Sequence, residues 1–170
     1  VERGEEVVIP RGDFVINEGD SIHIIATEAE IAAFCKKIKT FRSRAKSVFV
    51  IGGGKIAYYL AKELEKSGIE LKLVEKDPER CKTLSEELPF VSVLNADGTE
   101  QSVLDEENIK GADACVSLTG MDETNVIVSL YAKQKKVDKV ITKIDRENIL
   151  GMVKILGLDT VVSPKNAIAN

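Results

Sequence analysis

The residues whose types and spacing suggest chemistry are Gly52, Gly53, Gly54, Lys55, Ile56 and Ala57, followed by Glu75, 21 positions after Gly54. They fit the pattern G-x-G-x-x-G/A with an acid some 20 residues further on. A glycine turn that opens a helix presents backbone N–H groups and the positive end of the helix dipole to an anion. Gly52 would permit the tight turn, Gly54 would let the backbone approach a pyrophosphate, and Ala57 would keep the helix–strand contact small. An acid closing the next strand hydrogen-bonds adenosine ribose hydroxyls and repels a 2′-phosphate, which favours NAD or an adenosine nucleotide over NADP. A solvated strand-end acid is the plain alternative for Glu75.

These residues need a strand, a turn, a helix and a second strand to hold them. The stretch VFVIGGGKIAYYLAKELEKSGIELKLVEKD supplies all four within about 30 residues. Val48–Ile51 is an apolar run, Ile56, Ala57, Tyr59, Leu60 and Leu64 recur with helical spacing, Gly68 suits a helix C-terminus, and Leu71–Val74 is a second apolar run. Beyond it the chain alternates. Strands are expected near 48–51, 71–75, 91–94, 114–118, 139–144 and 160–163, and helices near 55–67, 78–87, 101–106, 123–135 and 146–156. Asp77-Pro78 is a helix start, with a cap residue before proline at the first helical position. The alternation predicts an α/β fold, a Rossmann-like doubly wound parallel sheet covered on both faces.

In such a sheet the ligand lies outside the carboxyl ends of the strands. Lys76 follows Glu75 there. Asn95-Ala96-Asp97-Gly98-Thr99 follows the third strand, where Asp97 and Thr99 either reach an adenine or close an Asx-type turn. Thr119 ends the fourth strand and is placed to face the cofactor. Asp122 or Glu123 favours the next helix N-terminus, Asn125 is polar within its first turn, and Arg146 suits either a phosphate or a surface ion pair. The single histidine, His23, reads as a structural or surface residue outside this unit. No nucleophile–base pairing is suggested, so the expectation is a site that binds without turnover. An oxidoreductase cofactor lobe separated from its substrate domain is the alternative.

Residues 1–39 differ from the rest. Val7–Pro10, Phe14–Ile16 and Ser21–Ala26 look like short strands separated by Gly-Asp turns, and Thr27 would cap a helix with Ile31, Phe34, Cys35 and Ile38 on one face. This predicts a small, partial α+β lobe near the ~40-residue lower limit for a self-sufficient core. Thr40–Ser47, TFRSRAKS, reads as a solvated linker, with a basic contact to nucleotide or lipid as the alternative. The chain opens at Val1 without methionine, inside an expected strand, and is therefore expected to be a piece of a longer protein.

Across 170 residues, 44% are hydrophobic and 31% charged, which suits a packed domain. A net charge of −4 argues against a broad basic face for nucleic acid. No apolar run approaches the ~20 residues of a membrane span, and no signal-peptide pattern opens the chain. Cys35, Cys81 and Cys115 lack metal-ligand spacing and read as reduced thiols.

Several segments together resemble the RCK/KTN family, the regulators of potassium conductance. VFVIGGGKIAYYLAKELE is similar to the family's first strand and glycine turn, LVEKDPERC to its acid-ended second strand, and NADGT to its G-D-(G/A)-T segment. SLTGMDETNVIVSLYAK resembles its fourth strand and a helix typically bearing D-(D/E)-x-N. SPKNAIAN is similar to the exit from the nucleotide lobe, and IPRGDFVINEGDSIHIIATEAEI to the end of a C-terminal lobe with P-x-G-D turns. Ala57 stands where many members have glycine. The likeness is closest to the peripheral NAD-binding subunits of Trk potassium-uptake systems. It implies the tail of one C-terminal lobe over 1–39, a linker over 40–47, and a nucleotide-binding lobe over 48–170. It further implies NAD(H), or ATP or ADP, bound by Gly52, Gly54, Ala57, Glu75, Asp97 and Thr119; Gly53, Lys55, Ile56, Lys76 and Gly98, which sit in the same segments, complete the expected cofactor site. The expected partners are a TrkH-type membrane potassium translocator and further copies of the chain, as a homo-dimer or higher ring. The expected place is the cytoplasmic face of the membrane, and a potassium–proton antiporter or channel regulator is a further alternative.

Overall fold

The computed structural model describes residues 1–4, 6–38, 45–158 and 160–164. The chain forms two compact units, Val1–Ser43 and Arg44–Asn170. Most of the expected linker and the AIAN end lie outside the described residues.

In the first unit, β1 (Glu2–Arg3) pairs antiparallel with β2 (Glu6–Val7), and Glu2 also bridges Ser21. The strands expected over 14–16 and 21–26 are therefore reduced to that one bridge. The reason is local. Arg3 ties this segment together through its side chain, donating to both Asp20 carboxylate oxygens at 2.7 Å and to the Val15 carbonyl at 2.9 Å, so that a backbone acceptor a strand partner would use is taken by a side chain. Bonding from Arg3 holds the Asp20 carboxyl down at about 2. Helix α1 (Glu28–Lys37) starts at Thr27 in a capping box, where Thr27 and Glu30 satisfy each other's backbone N–H. Its expected apolar face is in place but open, with Ile31, Phe34 and Ile38 all exposed.

The second unit is built on six parallel strands: β3 (Ser47–Ile51), β4 (Glu70–Glu75), β5 (Val91–Asn95), β6 (Ala114–Ser117), β7 (Lys139–Lys143) and β8 (Val161–Val162). They lie in the order β5-β4-β3-β6-β7-β8. Chain direction across the sheet therefore reverses between β3 and β6, the switch point of a doubly wound sheet. The connecting helices are α2 (Lys55–Glu65), α3 (Pro78–Glu87), α4 (Gln101–Glu106), α5 (Asp122–Gln134) and α6 (Glu147–Ile155). A 3-10 turn at Ile109–Gly111, absent from the sequence reading, leads into β6.

Alternation along β3 decides the layers, because successive side chains point to opposite faces. Val48 and Val50 pack with Ala57, Ala61, Leu73 and Leu84 on one side. Phe49 and Ile51 pack with Val74, Leu104, Cys115 and Val128 on the other. Helix α2 meets the sheet through Ala57 and Ala61, both fully buried, while Ile56 and Tyr59, expected on the apolar face, are exposed. The small residues win that face because they let the helix axis come close to β3. The start of β3 is tied to β6 by Asp113, which accepts from the N–H groups of Lys46 and Ser47 at 2.7 and 3.0 Å. These bonds hold its carboxyl below the usual range. Among the described residues no helix is long and apolar enough to cross a membrane.

Candidate functional site

The loops leaving the carboxyl ends of β3, β4, β5 and β6 converge on a cleft of about 570 Å³. That lies within the ~300–1,000 Å³ usual for small-molecule and cofactor sites. Gly52, Gly53, Gly54, Glu75, Lys76, Asp97 and Gly98 border it from the β3–β4–β5 side of the switch point, and Thr119 from the β6 side. Of the remaining expected residues, Lys55 and Ile56 are exposed in the first turn of α2, and Ala57 is buried beneath it.

Each glycine has a distinct reason. Gly52 takes φ +98°, a left-handed conformation that a side chain disfavours. A Cβ there would also stand 2.9 Å from the Thr119 nitrogen. At Gly98 a Cβ would overlap Ile51 Cγ2, so the floor of the cleft closes only without a side chain. Gly54 is different. Its φ is −67°, and a Cβ built on it meets nothing within 4 Å. It is the N-cap of α2 and supplies no capping side chain. The first-turn N–H groups of α2, orphans in any helix, thus follow directly on a residue that borders the cleft and leaves room for a ligand.

Glu75 closes β4 beside this turn. One carboxylate oxygen accepts from the Gly53 N–H at 2.6 Å and the other from the Asp77 N–H at 2.9 Å. A carboxylate has about four acceptor sites, so half of its capacity is directed to the protein itself. The end of β4 is further fixed by Asn95, whose amide donates to the Glu75 and Lys76 carbonyls at 3.1 and 3.0 Å. The buried Cys81 thiol also bonds the Glu75 carbonyl, and burial raises its pKa. Asp77 caps α3 through the Glu79 and Arg80 N–H groups, which aims Arg80 back at the turn. There the Arg80 Nε donates to the Gly53 carbonyl at 2.8 Å.

After β5, Asp97 does close an Asx-type turn, accepting from the Thr99 N–H at 2.9 Å and its hydroxyl at 2.7 Å. Those bonds lower its pKa. Thr119 borders the cleft, but its hydroxyl is engaged. Asn125, fully buried at the start of α5, accepts from the Thr119 N–H at 2.8 Å and its hydroxyl at 2.7 Å. Its amide donates to the Thr119 and Lys143 carbonyls at 3.2 and 3.0 Å. Lys143 Nζ donates to the same Thr119 carbonyl at 3.1 Å. The β6–α5 loop is thereby fastened to the end of β7.

One helical turn earlier, Asp122 does more than favour the helix dipole. It is buried and accepts from the Asp145 and Arg146 N–H groups and from Arg146 Nε, at 2.9, 3.0 and 3.1 Å. Burial raises its pKa, but those bonds outweigh it and the carboxyl sits below the usual range. Arg146 is accordingly in an ion pair with Asp122 and Glu123. His23 lies in the first unit beside Glu2. Among the described residues no group of three or more His, Cys, Asp or Glu can hold a metal ion.

The sequence reading missed Arg80, Asn95 and Lys143. Their partners are backbone atoms 27, 20 and 24 positions away, and no local spacing signals such contacts. Asn125 was visible as a polar residue in a first turn, without its partner.

The cleft thus brings together an uncapped helix N-terminus, an open glycine at it and an acid at the neighbouring strand end, groups chemically able to meet a phosphate and a ribose. The TrkA-N domain family matches residues 48–164, and the TrkA-C domain family matches residues 1–39. The Trk system potassium uptake protein trkA homolog 1 of Methanosarcina mazei is 34% identical over all of this chain and 42% of its own length. The Trk system potassium uptake protein TrkA of Halomonas elongata is 35% identical over 98% of this chain and 36% of its own. The chain thus spans about two fifths of the length of these relatives. Among solved structures, the TrkA-N domain of the Escherichia coli inner membrane protein ybaL superposes with TM-score 0.66 at 16% identity, covering 75% of this chain and 94% of that one. The GsuK channel bound to NAD gives 0.62 at 16%, covering 81% and 26%. The Shewanella denitrificans Kef CTD in AMP-bound form gives 0.61 at 18%, covering 72% and 74%. These structural likenesses establish the shared fold.

Proposed function

Since this chain belongs to the TrkA-N domain family, we propose that it is a regulatory part of a potassium-uptake system that binds NAD(H) or an adenine nucleotide in the cleft at the switch point. In this reading, residues 48–170 are the nucleotide-binding lobe, 1–39 the tail of a preceding C-terminal lobe, and 40–47 the linker. The protein works by binding rather than turnover, on the cytoplasmic face of the membrane. It assembles as a dimer or higher ring beneath a TrkH-type translocator. The pyrophosphate or phosphate lies against Gly52–Gly54 and the first turn of α2, and the ribose against Glu75. Asp97 and Gly98 continue the cleft beyond Glu75, Thr119 borders it from the β6 side, and Lys55 and Lys76 offset the ligand's charge. Bound nucleotide biases gating only by its differential affinity for two shapes of the assembly. The fastening of the Thr119 loop to Lys143, and of Asp122 to Arg146, gives a physical route outward from the cleft.

The observation that carries this reading is the pairing of an open, uncapped Gly54 with Glu75 at the adjacent strand end. The test is calorimetric titration with NADH, NAD, ATP, ADP and NADPH. Saturable binding of NAD(H) or an adenine nucleotide, with NADPH weakest, is expected. A chain that binds none of the five refutes the proposal. Glu75→Ala is a poor control, because it also releases the Gly53 N–H. A 2′-deoxy analogue of the winning ligand tests the ribose contact with the turn intact.

A further inference from the structure

We infer that Arg80 is a positioning residue for the phosphate of the bound nucleotide, holding the Gly53–Gly54 peptide so that the Gly54 N–H faces the ligand. The inference rests on the nucleotide reading of the cleft. Gly53 is gripped at both ends: its N–H by Glu75 at 2.6 Å and its carbonyl by Arg80 Nε at 2.8 Å. The Gly53 N–H is therefore committed to the protein and is not a phosphate donor. In a trans peptide the C=O and the following N–H point in opposite directions. With the Gly53 carbonyl turned toward α3, the Gly54 N–H turns away from it. Gly54 borders the cleft, its Cβ position is open, and among the described residues its N–H has no hydrogen-bond partner.

The latch is needed because this peptide is flanked by glycine on both sides. Glycine accepts either sign of φ, so no side chain opposes rotation of the Gly53–Gly54 unit. A flipped peptide would aim a carbonyl oxygen at the phosphate. A hydrogen bond from a charged donor holds a carbonyl more firmly than a neutral one, and among the described residues the guanidinium has no other partner. Asp77 and Pro78 set the start of α3, and the Asp77 carboxylate caps the Arg80 N–H at 3.0 Å, so the arm that carries the latch is itself fixed.

The first measurement needs no variant: amide NMR of the whole chain, titrated with ADP. The Gly54 amide resonance is expected to move strongly and the Gly53 amide to stay close to its ligand-free position. Arg80→Met should then weaken ADP about tenfold to a hundredfold, the range for losing a hydrogen bond to a charged group, with partial recovery in Arg80→Lys. Gly54→Pro, allowed by the φ of −67°, deletes the proposed donor. In that background Arg80→Met should change ADP affinity less than twofold. Movement of the Gly53 amide in place of Gly54, or losses that multiply in the double variant, overturns the role of Arg80 and leaves the nucleotide site standing. Resonances of Gly52–Gly54, Gly98 and Thr119 that all stay unmoved by ADP and by NAD overturn both.

Discussion

Replacing Asn125 with alanine tests the architecture of the cleft most directly. The side chain is fully buried and makes four hydrogen bonds: two accepted from Thr119, one donated to the Thr119 carbonyl and one to the Lys143 carbonyl. At about 0.5–1.5 kcal/mol each, their loss sums to roughly 2–6 kcal/mol. Thr119 is half-buried, so water replaces part of what it loses, and Lys143 Nζ still serves its carbonyl. The Lys143 carbonyl bond lies in the interior and is not replaced so easily. The expected loss is about 3 kcal/mol, a large share of the ~5–15 kcal/mol stability of a typical domain. Urea unfolding reads this as a midpoint lowered by about 1–2 M at an ordinary slope. Thr119→Val removes one of the same bonds, so the double variant should lose less than the sum of the singles. Because Thr119 packs on Gly52, ADP affinity should fall in Asn125→Ala as well. A stability loss below about 1 kcal/mol, or strict additivity with Thr119→Val, would refute the argument that Asn125 organises this loop.

Gly52→Ala and Gly54→Ala should separate folding from binding. The first puts a Cβ 2.9 Å from the Thr119 nitrogen at positive φ and should destabilise by more than about 2 kcal/mol. The second meets nothing and should cost no more than about 1 kcal/mol, the penalty for alanine in place of glycine at an N-cap, while weakening ADP in calorimetry. Asp122, with Asp145, Arg146 and Glu123 around it, has a carboxyl held below its unfolded value. Such a group stabilises above the unfolded pKa of about 3.9 and loses that contribution as pH falls through the folded value. Asp122→Asn should therefore be less stable than the parent near neutrality, with the gap closing as pH is lowered below about 4; a gap independent of pH contradicts this. Burial pushes the Cys115 thiol up to about 12, and Cys81 is likewise buried. A thiol reagent at pH 8 should modify the half-buried Cys35 in the folded protein, and Cys81 and Cys115 only after denaturation.

The fold was legible because its signals are local. Strand and helix periods, the Asp77-Pro78 start and the Thr27 capping box each depend on residues within one turn of one another, and the structure places those elements within a residue or two of the expected bounds. The N-terminal strands were less legible, since a strand exists only with a partner, and Arg3 engages the Val15 carbonyl that a partner would have used.

Within the cleft the division is sharper. By itself the sequence determined the glycine turn, the acid ending β4 and the order of strands and helices, because these follow from residue type and spacing along the chain. Tertiary structure alone decided that Gly53 is held between Glu75 and Arg80, that Asn95 fixes the end of β4, and that Thr119 answers to Asn125 and Lys143. Hydrogen-bond direction depends on where two backbones meet, and parallel strands bring together loops that are distant in sequence. The residue types that can bind a ligand are written locally, whereas the donors left free to do so are known only once the protein has satisfied its own.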